Sequence, residues 1–521
     1  MTPEERAFAA AQAAAPAPAE APRRRISVLR IAVLIVVVAA ACASIVAFRS
    51  VSRSARSLVV QSAFMPYVDA TATPQYAFEN AHESNLVLGF VVSSAGDACE
   101  PSWGGSYSLD SASTALDLDR RVARFGQRRG QVAVSFGGAA NSELANGCTD
   151  IAKLTAAYRA VVQRYSVGTI DLDLEGDTAL SSTVVARRAQ ALHTVQQQAR
   201  AAGDPLQIWL TLPVDPSGLT SAGSAALATM LNAKVTIAGV NGLIMDYGSS
   251  LPKGMSLTTA SESALTHLAD QVRSAFAAAG HKVSAARSWQ LIGATPMIGQ
   301  NDSSDERLDL RDAAALVRFA EQKHLRRMSM WSLNRDQACG PNYANVTIVS
   351  PNCSGIAQRA GQFAKIFQAF KAGKPVKFEA GASASPSPTG TSIVDDPATS
   401  PYPIWNPTMP YAAGTKIVWH RNVYQAKWWT KGDTPDAPVS SSSQTPWTLI
   451  GPVLPGEHPK PTPTMAAGTY PKWSATKTYR AGTRVLFDGI GFQAKWYTRG
   501  DVPGITVNDP GQTPWELISS K

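Results

Sequence analysis

The chain of 521 residues lacks several patterns that mark whole classes of protein. It has only five cysteines, and because their spacings fit no zinc-binding pattern, we expect no metal site; we expect no cofactor either. The net charge of +9 is concentrated at one end, since residues 1–60 carry eight arginines against three glutamates. The remaining residues contain no long basic run and no nucleic-acid-binding motif, so we expect no nucleic-acid partner.

One uncharged apolar segment, Ile31–Phe48, follows a cluster of four arginines at residues 23–30. Its length is at the short end of what spans a bilayer and exceeds the apolar core of a usual signal peptide. The arginines predict that residues 1–30 stay in the cytoplasm and that the rest of the chain is exported. We therefore expect an N-terminal transmembrane or signal-anchor helix, and an extracellular protein that is membrane-anchored or secreted after cleavage. A buried core helix is the alternative.

Four cysteines lie beyond this segment. An even number of cysteines in an exported chain predicts two disulfides. The simplest pairing is Cys99 with Cys148 and Cys339 with Cys353, and free buried thiols are the alternative.

The middle of the chain alternates short apolar runs with segments of helical character, such as Thr183–Ala202. Strands that alternate with helices predict parallel βα units, and the length is ample for an α/β fold of the (β/α)8 TIM-barrel type. We expect the eighth strand between Cys99 and Gly130. The seven apolar runs are Leu86–Val92, Val132–Phe136, Ile170–Leu174, Leu206–Leu212, Val240–Met245, Trp289–Ala294 and Met328–Trp331.

The C-terminal part contains two linkers and an internal repeat. Residues 371–402 and 452–464 are rich in Pro, Ser, Ala, Gly and Thr, which is typical of linkers. Tyr411–Pro435 matches Tyr479–Pro503 at a constant offset of 68 residues, so one module occurs twice. The predicted units are a cytoplasmic segment (1–30), an anchor (31–48), an entry segment (49–84), a barrel (85–370), a linker (371–402), a first module (403–451), a second linker (452–468) and a second module (469–521).

Three acids alternate with apolar residues in TIDLDLEGD, which runs from Thr169 to Asp177. This period of two predicts a strand that carries Asp171, Asp173 and Glu175 on one face. Like charges this close repel each other, so at least one of the acids should have a raised pKa. Glu175 comes last, at the end of a barrel strand where active sites lie.

Other predicted strands also end in polar or aromatic residues. These ends are SFGG (Ser135–Gly138), MDYG (Met245–Gly248) and WSLNRD (Trp331–Asp336). Convergent acids with a tyrosine and a tryptophan suit a sugar ring, which stacks on an aromatic face while polar groups hold its substituents. For any single strand end, ordinary loop residues are the alternative.

TIDLDLEG, VSFGG, MDYG, TPMIGQND and WSLNRD together resemble glycoside hydrolase family 18, the chitinases, in a bacterial and archaeal branch. The resemblance spans Leu86–Phe370 and implies a (β/α)8 barrel with the acid motif Asp-x-x-Asp-x-Asp-x-Glu. The last three acids of this motif fall on Asp171, Asp173 and Glu175. Gly168 stands where the first acid is expected, so that acid is absent.

The resemblance also implies a retaining mechanism in which the acetamido oxygen of the substrate attacks the anomeric carbon. It implies that Glu175 protonates the leaving oxygen, that Asp173 stabilises the oxazolinium ion and that Asp171 shares a proton with Asp173. Tyr247 would donate a hydrogen bond to the acetamido carbonyl, and Trp331 would form the floor under the reacting sugar. The expected substrate-binding residues are Ser135, Gly137, Gly138, Met245, Asp246 and Trp331.

Each module has few aliphatic residues, so some of its aromatics must form the core. Adjacent aromatics cannot both face inward on a strand, so at least one of Trp428–Trp429 and one of Trp496–Tyr497 is exposed. The repeat resembles chitin-binding modules of carbohydrate-binding families 5 and 12, which implies a small antiparallel β-sheet. The resemblance implies binding strips of Tyr411, Trp428 and Trp429, and of Tyr479, Trp496 and Tyr497. The core candidates are Trp405, Tyr424, Trp447, Trp473, Phe492 and Trp515.

The sequence thus predicts a chitinase that hydrolyses β-1,4 linkages between N-acetylglucosamine units. Its expected partners are chitin, N-acetylglucosamine oligosaccharides and the membrane, and we expect a monomer. Two alternatives are an endo-β-N-acetylglucosaminidase of the same family and a non-catalytic chitin-binding or adhesion protein.

Overall fold

The computed structural model describes residues 64–343, 345–373, 395–439, 442–459, 465–504 and 513–518. The predicted anchor, Ile31–Phe48, and the predicted cytoplasmic segment lie outside these residues. Within the described ranges, no helix combines the length and the hydropathy that crossing a membrane requires.

Eight parallel strands form a closed barrel in the described part of the chain. Each strand pairs in parallel with the next one along the chain. Phe64, just ahead of the first strand, pairs in parallel with Met328 of the last strand and closes the barrel. The strands are β1 (Tyr67–Asp69), β2 (Asn85–Ser93), β3 (Gln131–Gly137), β4 (Thr169–Asp173), β5 (Gln207–Asp215), β6 (Ile237–Leu243), β7 (Ile292–Thr295) and β8 (Arg327–Met328).

The strand expected between Cys99 and Gly130 lies elsewhere. The missing strand is β1, which belongs to the predicted entry segment, so the barrel begins near residue 64 and not at residue 85. At three residues β1 is too short to give an apolar run. The predicted region instead forms a hairpin, Pro101–Trp103 with Tyr107–Ser108, and two helices.

Helices follow the strands from β2 onward and cover the outside of the barrel. Local signals set their ends, as in Leu310–Lys323, which begins with a capping box between Asp309 and Asp312 and ends at His324 in a left-handed conformation. The main helices are α1 (Leu109–Ala115), α2 (Leu118–Gln127), α3 (Ile151–Arg164), α4 (Ser182–Ala201), α5 (Ser221–Asn232), α6 (Leu257–Ala278), α7 (Leu310–Lys323) and α8 (Gln362–Phe367).

The apolar core lies between the strands and the helices, whereas the barrel interior is polar. On β4, Ile170 and Leu172 are fully buried in the apolar core, and the acids alternate with them on the other face. Strands on both sides of β4 add further buried polar side chains to the interior. These are Ser135, Thr211, Asn241, Thr295 and Arg327.

Both predicted disulfides are present, Cys99–Cys148 and Cys339–Cys353. The first connects the loop after β2 to the loop after β3. The second closes a loop that follows β8. Both therefore stabilise the end of the barrel at which the strands terminate.

Each module is a small antiparallel β structure, as the resemblance implied. A three-stranded sheet and a two-stranded ribbon build each copy. The sheet of the first module contains Lys416–Trp419, Asn422–Ala426 and Trp447–Pro452, and that of the second contains Arg484–Phe487, Ile490–Ala494 and Trp515–Leu517. The ribbons pair Pro410–Tyr411 with Thr430–Lys431 and Thr478–Tyr479 with Thr498–Arg499.

The first module contacts the barrel directly through α2. The Arg120 guanidinium donates to the carbonyl of Pro452, which ends the last strand of the module, and to the carboxylate of Glu457 in the linker that follows, with 3.1 Å between Nη1 and Oε2. Lys416 forms an ion pair with Asp117, which precedes α2. The first module is therefore docked on the barrel, although the linker before it had suggested a freely tethered unit.

Candidate active site

The three predicted acids lie together at the end of β4. Asp171 and Asp173 are buried in the barrel interior, and Glu175 is half-buried just before the short helix Gly176–Leu180. Their alternation along the strand places all three on one side, as the sequence predicted.

Asp171 accepts hydrogen bonds from four different strands. Oδ2 accepts from the hydroxyls of Tyr67 and Ser135, both at 2.8 Å. Oδ1 accepts from Thr211 Oγ1 at 2.7 Å and from Arg327 Nη1 at 2.8 Å. A carboxylate acts only as an acceptor, so this environment suits an ionised Asp171.

Asp173 lies in a different environment, only two residues away. Its Oδ1 is buried and has no hydrogen-bond partner among the described residues. Burial, reinforced by the charges of Glu175 and Asp171, raises the pKa of Asp173 well above its ordinary value, and Arg327 offsets only part of this effect. Burial beside two other acids therefore favours the protonated form of Asp173.

Glu175 is set up as a proton donor near neutral pH. Burial, with a contribution from the charges of Asp246 and Asp302, raises the pKa of Glu175 to about 7. A carboxyl group with such a pKa can keep its proton at neutral pH and still release it, as general acid catalysis requires.

Asp246 follows β6 and turns toward the acid cluster in a left-handed conformation with a φ of 51°. Its Oδ1 accepts from the backbone N–H of Ser303 at 2.9 Å, and burial raises its pKa. Met245 beside it is half-buried. The predicted position of Asp246 at the site is thus consistent with its effect on Glu175.

The role predicted for Tyr247 is not supported by its position. Tyr247 is buried in the apolar core, and its hydroxyl donates to Ser261 Oγ of α6 at 3.3 Å. Its backbone N–H donates to the Glu306 carboxylate at 3.0 Å. Because the backbone at Asp246 is left-handed, the side chain of Asp246 faces the acids and the side chain of Tyr247 faces α6. Asp246 thus lies on the side where Tyr247 was expected.

An aromatic surface lies beside the acids. The half-buried Trp331 stacks on Phe90 with ring centroids 5.3 Å apart, and the buried Tyr67 meets the indole edge-on at 6.1 Å. This surface matches the predicted floor for a sugar ring. Tyr67 belongs both to this surface and to the contacts of Asp171.

The residues of SFGG support the acids instead of facing a ligand. Ser135 is fully buried beneath Asp171. A Cβ on Gly137, whose φ is 104°, would lie 2.1 Å from the Asp173 carbonyl oxygen. The N–H of Gly138 donates to that oxygen at 2.9 Å, so it is already engaged. These three residues therefore position β4, which corrects their predicted role in substrate binding.

Several residues of the site were not predicted from the sequence. Tyr67 lies on β1, which is too short to give an apolar run, and Thr211 and Arg327 are single polar residues beside apolar ones in β5 and β8. Phe90 was inside a predicted strand, and a search for aromatics on the interior face of that strand would have found it. Asp302 lay in TPMIGQND but had been given no role.

The modules expose the predicted pairs of adjacent aromatics. Both members of each pair are on the surface, with exposures between 42% and 66%. Tyr411 and Tyr479 were also expected there, but they are only 6% and 5% exposed. Each packs edge-on against a core tryptophan, and its hydroxyl hydrogen-bonds the backbone of residue 406 or 474. With few aliphatic residues, the modules use these tyrosines as core.

The predicted core of each module agrees with this arrangement. Trp447, Trp515, Tyr424 and Phe492 are buried. Trp405 and Trp473 are half-buried and pack against the same clusters.

The described residues contain no cluster of His, Cys, Asp or Glu that could hold a metal ion.

Comparisons with known proteins identify relatives of both parts of the chain. Residues 472–516 match the family model for carbohydrate-binding module family 5/12. The "Probable bifunctional chitinase/lysozyme" of Escherichia coli (strain K12) is 29% identical over 320 residues, and "Endochitinase 11" of Metarhizium anisopliae is 30% identical over 285 residues. These alignments cover 59% and 52% of this chain, but only 34% and 52% of the relatives. The chain thus spans between a third and about half of the length of these relatives.

Among solved structures, the catalytic domain of a hyperthermophilic chitinase from Pyrococcus furiosus is similar, with 25% sequence identity and a TM-score of 0.51. The match covers 60% of this chain and 96% of that domain. Over its barrel and acid cluster, this chain is therefore similar to a chitinase catalytic domain. The two curated relatives are also chitinases by name, and the C-terminal match is to carbohydrate-binding module family 5/12, in agreement with the resemblances seen in the sequence.

Proposed function

We propose that the protein is a chitinase that hydrolyses β-1,4 linkages between N-acetylglucosamine units. The observation that carries the proposal is the acid series at the end of β4, in which Glu175 has a pKa of about 7 and lies beside the buried Asp173, whose pKa is also raised. The aromatic surface of Trp331 and Phe90 lies beside these acids and supports a sugar ring as the bound group.

Glu175 acts as the general acid. It donates its proton to the glycosidic oxygen while the bond from that oxygen to the anomeric carbon breaks. Its half-exposed position at the end of β4 allows contact with the leaving oxygen of a substrate. In the second half of the reaction the same carboxylate removes a proton from water, which is the usual reversal of roles in retaining glycosidases.

No second carboxylate is needed as a nucleophile if the acetamido oxygen of the substrate attacks the anomeric carbon. Asp173 then accepts a hydrogen bond from the acetamido N–H and stabilises the positive charge of the oxazolinium ion. The Oδ1 of Asp173 supports this role, because this buried acceptor has no hydrogen-bond partner among the described residues and is left for a substrate group to satisfy. The products keep the β configuration.

The modules bind the insoluble polymer. Their exposed pairs of aromatics are suited to stacking on sugar rings, and clustered exposed aromatics of this kind mark interaction surfaces. Two binding modules on one chain raise the apparent affinity through effective concentration. The pairs are Trp428 with Trp429 and Trp496 with Tyr497.

We also propose that the barrel and the modules act outside the cell. The arginine cluster before Ile31–Phe48 supports export, and two disulfides fit an oxidising compartment. A membrane partner and a monomeric state stay predictions.

Incubating the purified full-length protein with colloidal chitin and measuring new reducing ends tests the proposed function. A glycoprotein with N-linked glycans, offered in parallel, separates the alternatives. Hydrolysis of the glycoprotein without hydrolysis of chitin would identify an endo-β-N-acetylglucosaminidase. Binding to chitin without release of any reducing end would identify a non-catalytic protein.

A further inference from the structure

Arg327 of β8 lies inside the barrel and faces the acid strand. It is 1% exposed, and each nitrogen of its guanidinium has a partner. Nη1 donates to Asp171 Oδ1 at 2.8 Å, Nη2 donates to the Tyr67 hydroxyl at 3.1 Å, and Nε donates to Ser329 Oγ at 2.8 Å. The guanidinium also lies over the Trp209 ring, 5.3 Å from its centroid. These contacts fix the arginine in one position.

The ion pair between Arg327 and Asp171 gives Asp171 and Asp173, which lie on the same strand, different electrostatic environments. The charge of Asp171 is balanced by Arg327, and its two oxygens are filled by four donors. Asp173 has no such partner and lies between two other carboxyl groups. A carboxyl group that cannot be balanced by a cation in a buried site is neutralised by a proton.

The polar groups around this pair come from nearly every strand of the barrel. The titratable or charged groups are Tyr67 on β1, Arg327 on β8, and the carboxyl groups of Glu175, Asp246 and Asp302 above. The remaining contacts are uncharged, namely Ser135, Thr211 and Asn241. Among the described residues, Arg327 is the only cation that hydrogen-bonds Asp171, whereas the buried Arg335 lies close enough to Asp246 and Asp302 for their charges to act on it.

We propose that Arg327 is a positioning residue for the reaction: its ion pair holds the negative charge of the acid strand on Asp171, so that a proton is held on Asp173. This inference rests on the proposed function. A protonated Asp173 can accept from the acetamido N–H with one oxygen and donate its O–H to Glu175 with the other. As Glu175 gives its proton to the leaving oxygen, that O–H stabilises the carboxylate that remains.

The first test locates the proton without using activity. Infrared difference spectra of the full-length protein report the carbonyl stretch of a protonated carboxyl group at mildly acidic to neutral pH. We expect Asp173→Asn to remove one such band and Asp171→Asn to leave it in place. In an Arg327→Met background, we expect Asp171→Asn to remove a band. A wild-type band that disappears with Asp171→Asn and persists with Asp173→Asn would overturn the proposal.

The second test follows the pH profile of hydrolysis of soluble chito-oligosaccharides. Without the cation, the acids hold their protons to higher pH, so we expect Arg327→Met to move the acidic limb of kcat/KM upward by about one pH unit or more. We expect kcat to fall at least about tenfold with little change in KM. Arg327→Lys keeps the positive charge, so the acidic limb of its kcat/KM profile should lie closer to the wild-type position than the limb of Arg327→Met. A superimposable profile with kcat within threefold of wild type would contradict the proposal.

A matched control separates this role from loss of a buried ion pair. Arg188 is also fully buried and pairs with Glu143 at 2.7 Å, outside the barrel interior. Arg188→Met should lower thermal stability as Arg327→Met does, but should leave the acidic limb unshifted. Circular dichroism establishes which variants are folded. If Arg327→Met does not fold, Arg327→Lys replaces it in the test, and we expect a smaller upward shift of the acidic limb of kcat/KM. An inactive wild-type protein would defeat the proposed function, whereas the infrared result would still decide the role of Arg327.

Discussion

Replacing Glu175 with glutamine tests the central element of the site. The change keeps the size of the side chain and removes the proton that the acid donates. General acid catalysis contributes about 10²–10⁴-fold, so we expect kcat to fall by that factor, which corresponds to about 3–5 kcal/mol of transition-state stabilisation. Binding to chitin should be retained, because the exposed aromatics of the modules are unchanged.

The raised pKa of Glu175 also predicts how wild type and variant depend on pH. The wild-type rate should decline as pH rises through about 7, because only the protonated acid is active. A pKa raised from 4.5 to about 7 stabilises the fold below 4.5, and this contribution is lost as pH rises to 7. Glutamine stays neutral throughout, so Glu175→Gln should be at least as stable as wild type at pH 8.

The assay is hydrolysis of soluble chito-oligosaccharides, with thermal denaturation at pH 5 and pH 8 as the measure of stability. Asp177→Asn is the matched control, because Asp177 is exposed two residues further along the same segment. This control should keep activity within twofold of wild type. A folded Glu175→Gln variant that retained more than a third of the wild-type kcat would refute the assignment of the acid.

Three further predictions concern the mechanism, the electrostatics and the modules. A thiazoline analogue of N-acetylglucosamine oligomers should inhibit as a mimic of the oxazolinium ion, and proton NMR should detect β-anomers as the first products; initial α-anomers would refute substrate assistance. Asp246→Asn should move the basic limb of the rate profile to lower pH, since the charge of Asp246 raises the pKa of Glu175, and an upward shift would contradict this reasoning. Replacing the exposed aromatics with alanine should weaken binding and hydrolysis on crystalline chitin, at about 1 kcal/mol per ring, while hydrolysis of soluble oligomers is spared. The four residues replaced are Trp428, Trp429, Trp496 and Tyr497, and circular dichroism must show that this quadruple variant is folded. If the folded variant bound crystalline chitin as well as the wild-type protein does, these rings would be excluded from the binding surface.

The sequence predicted the parts of the site that lie on one strand. The spacing of Asp171, Asp173 and Glu175 determines by itself that they share a face, since side chains alternate along a strand. The sequence could not predict that Arg327 would contact Asp171, because this contact joins residues 156 positions apart and depends on barrel closure. It could not predict β1 either, since three residues carry too little pattern.

Two errors have a common physical cause, which is that a local motif does not determine where a side chain points. The left-handed conformation at Asp246 directs Tyr247 into the apolar core. In the modules, Tyr411 and Tyr479 fill a core that has few aliphatic residues, although the repeat pattern had placed them on the surface. In each case the surrounding packing decided the orientation.

The docking of the first module on α2 has a consequence for how the barrel meets a solid surface. Contacts from Arg120 to Pro452 and Glu457, and from Lys416 to Asp117, hold the module against the barrel. When its aromatic pair settles on a crystal face, the barrel loses rotational freedom in the same step and meets the polymer from one fixed side. If both modules bind the polymer as proposed, the first sets the angle at which the barrel approaches it, and the second, which follows its own linker sequence, adds residence time on the surface.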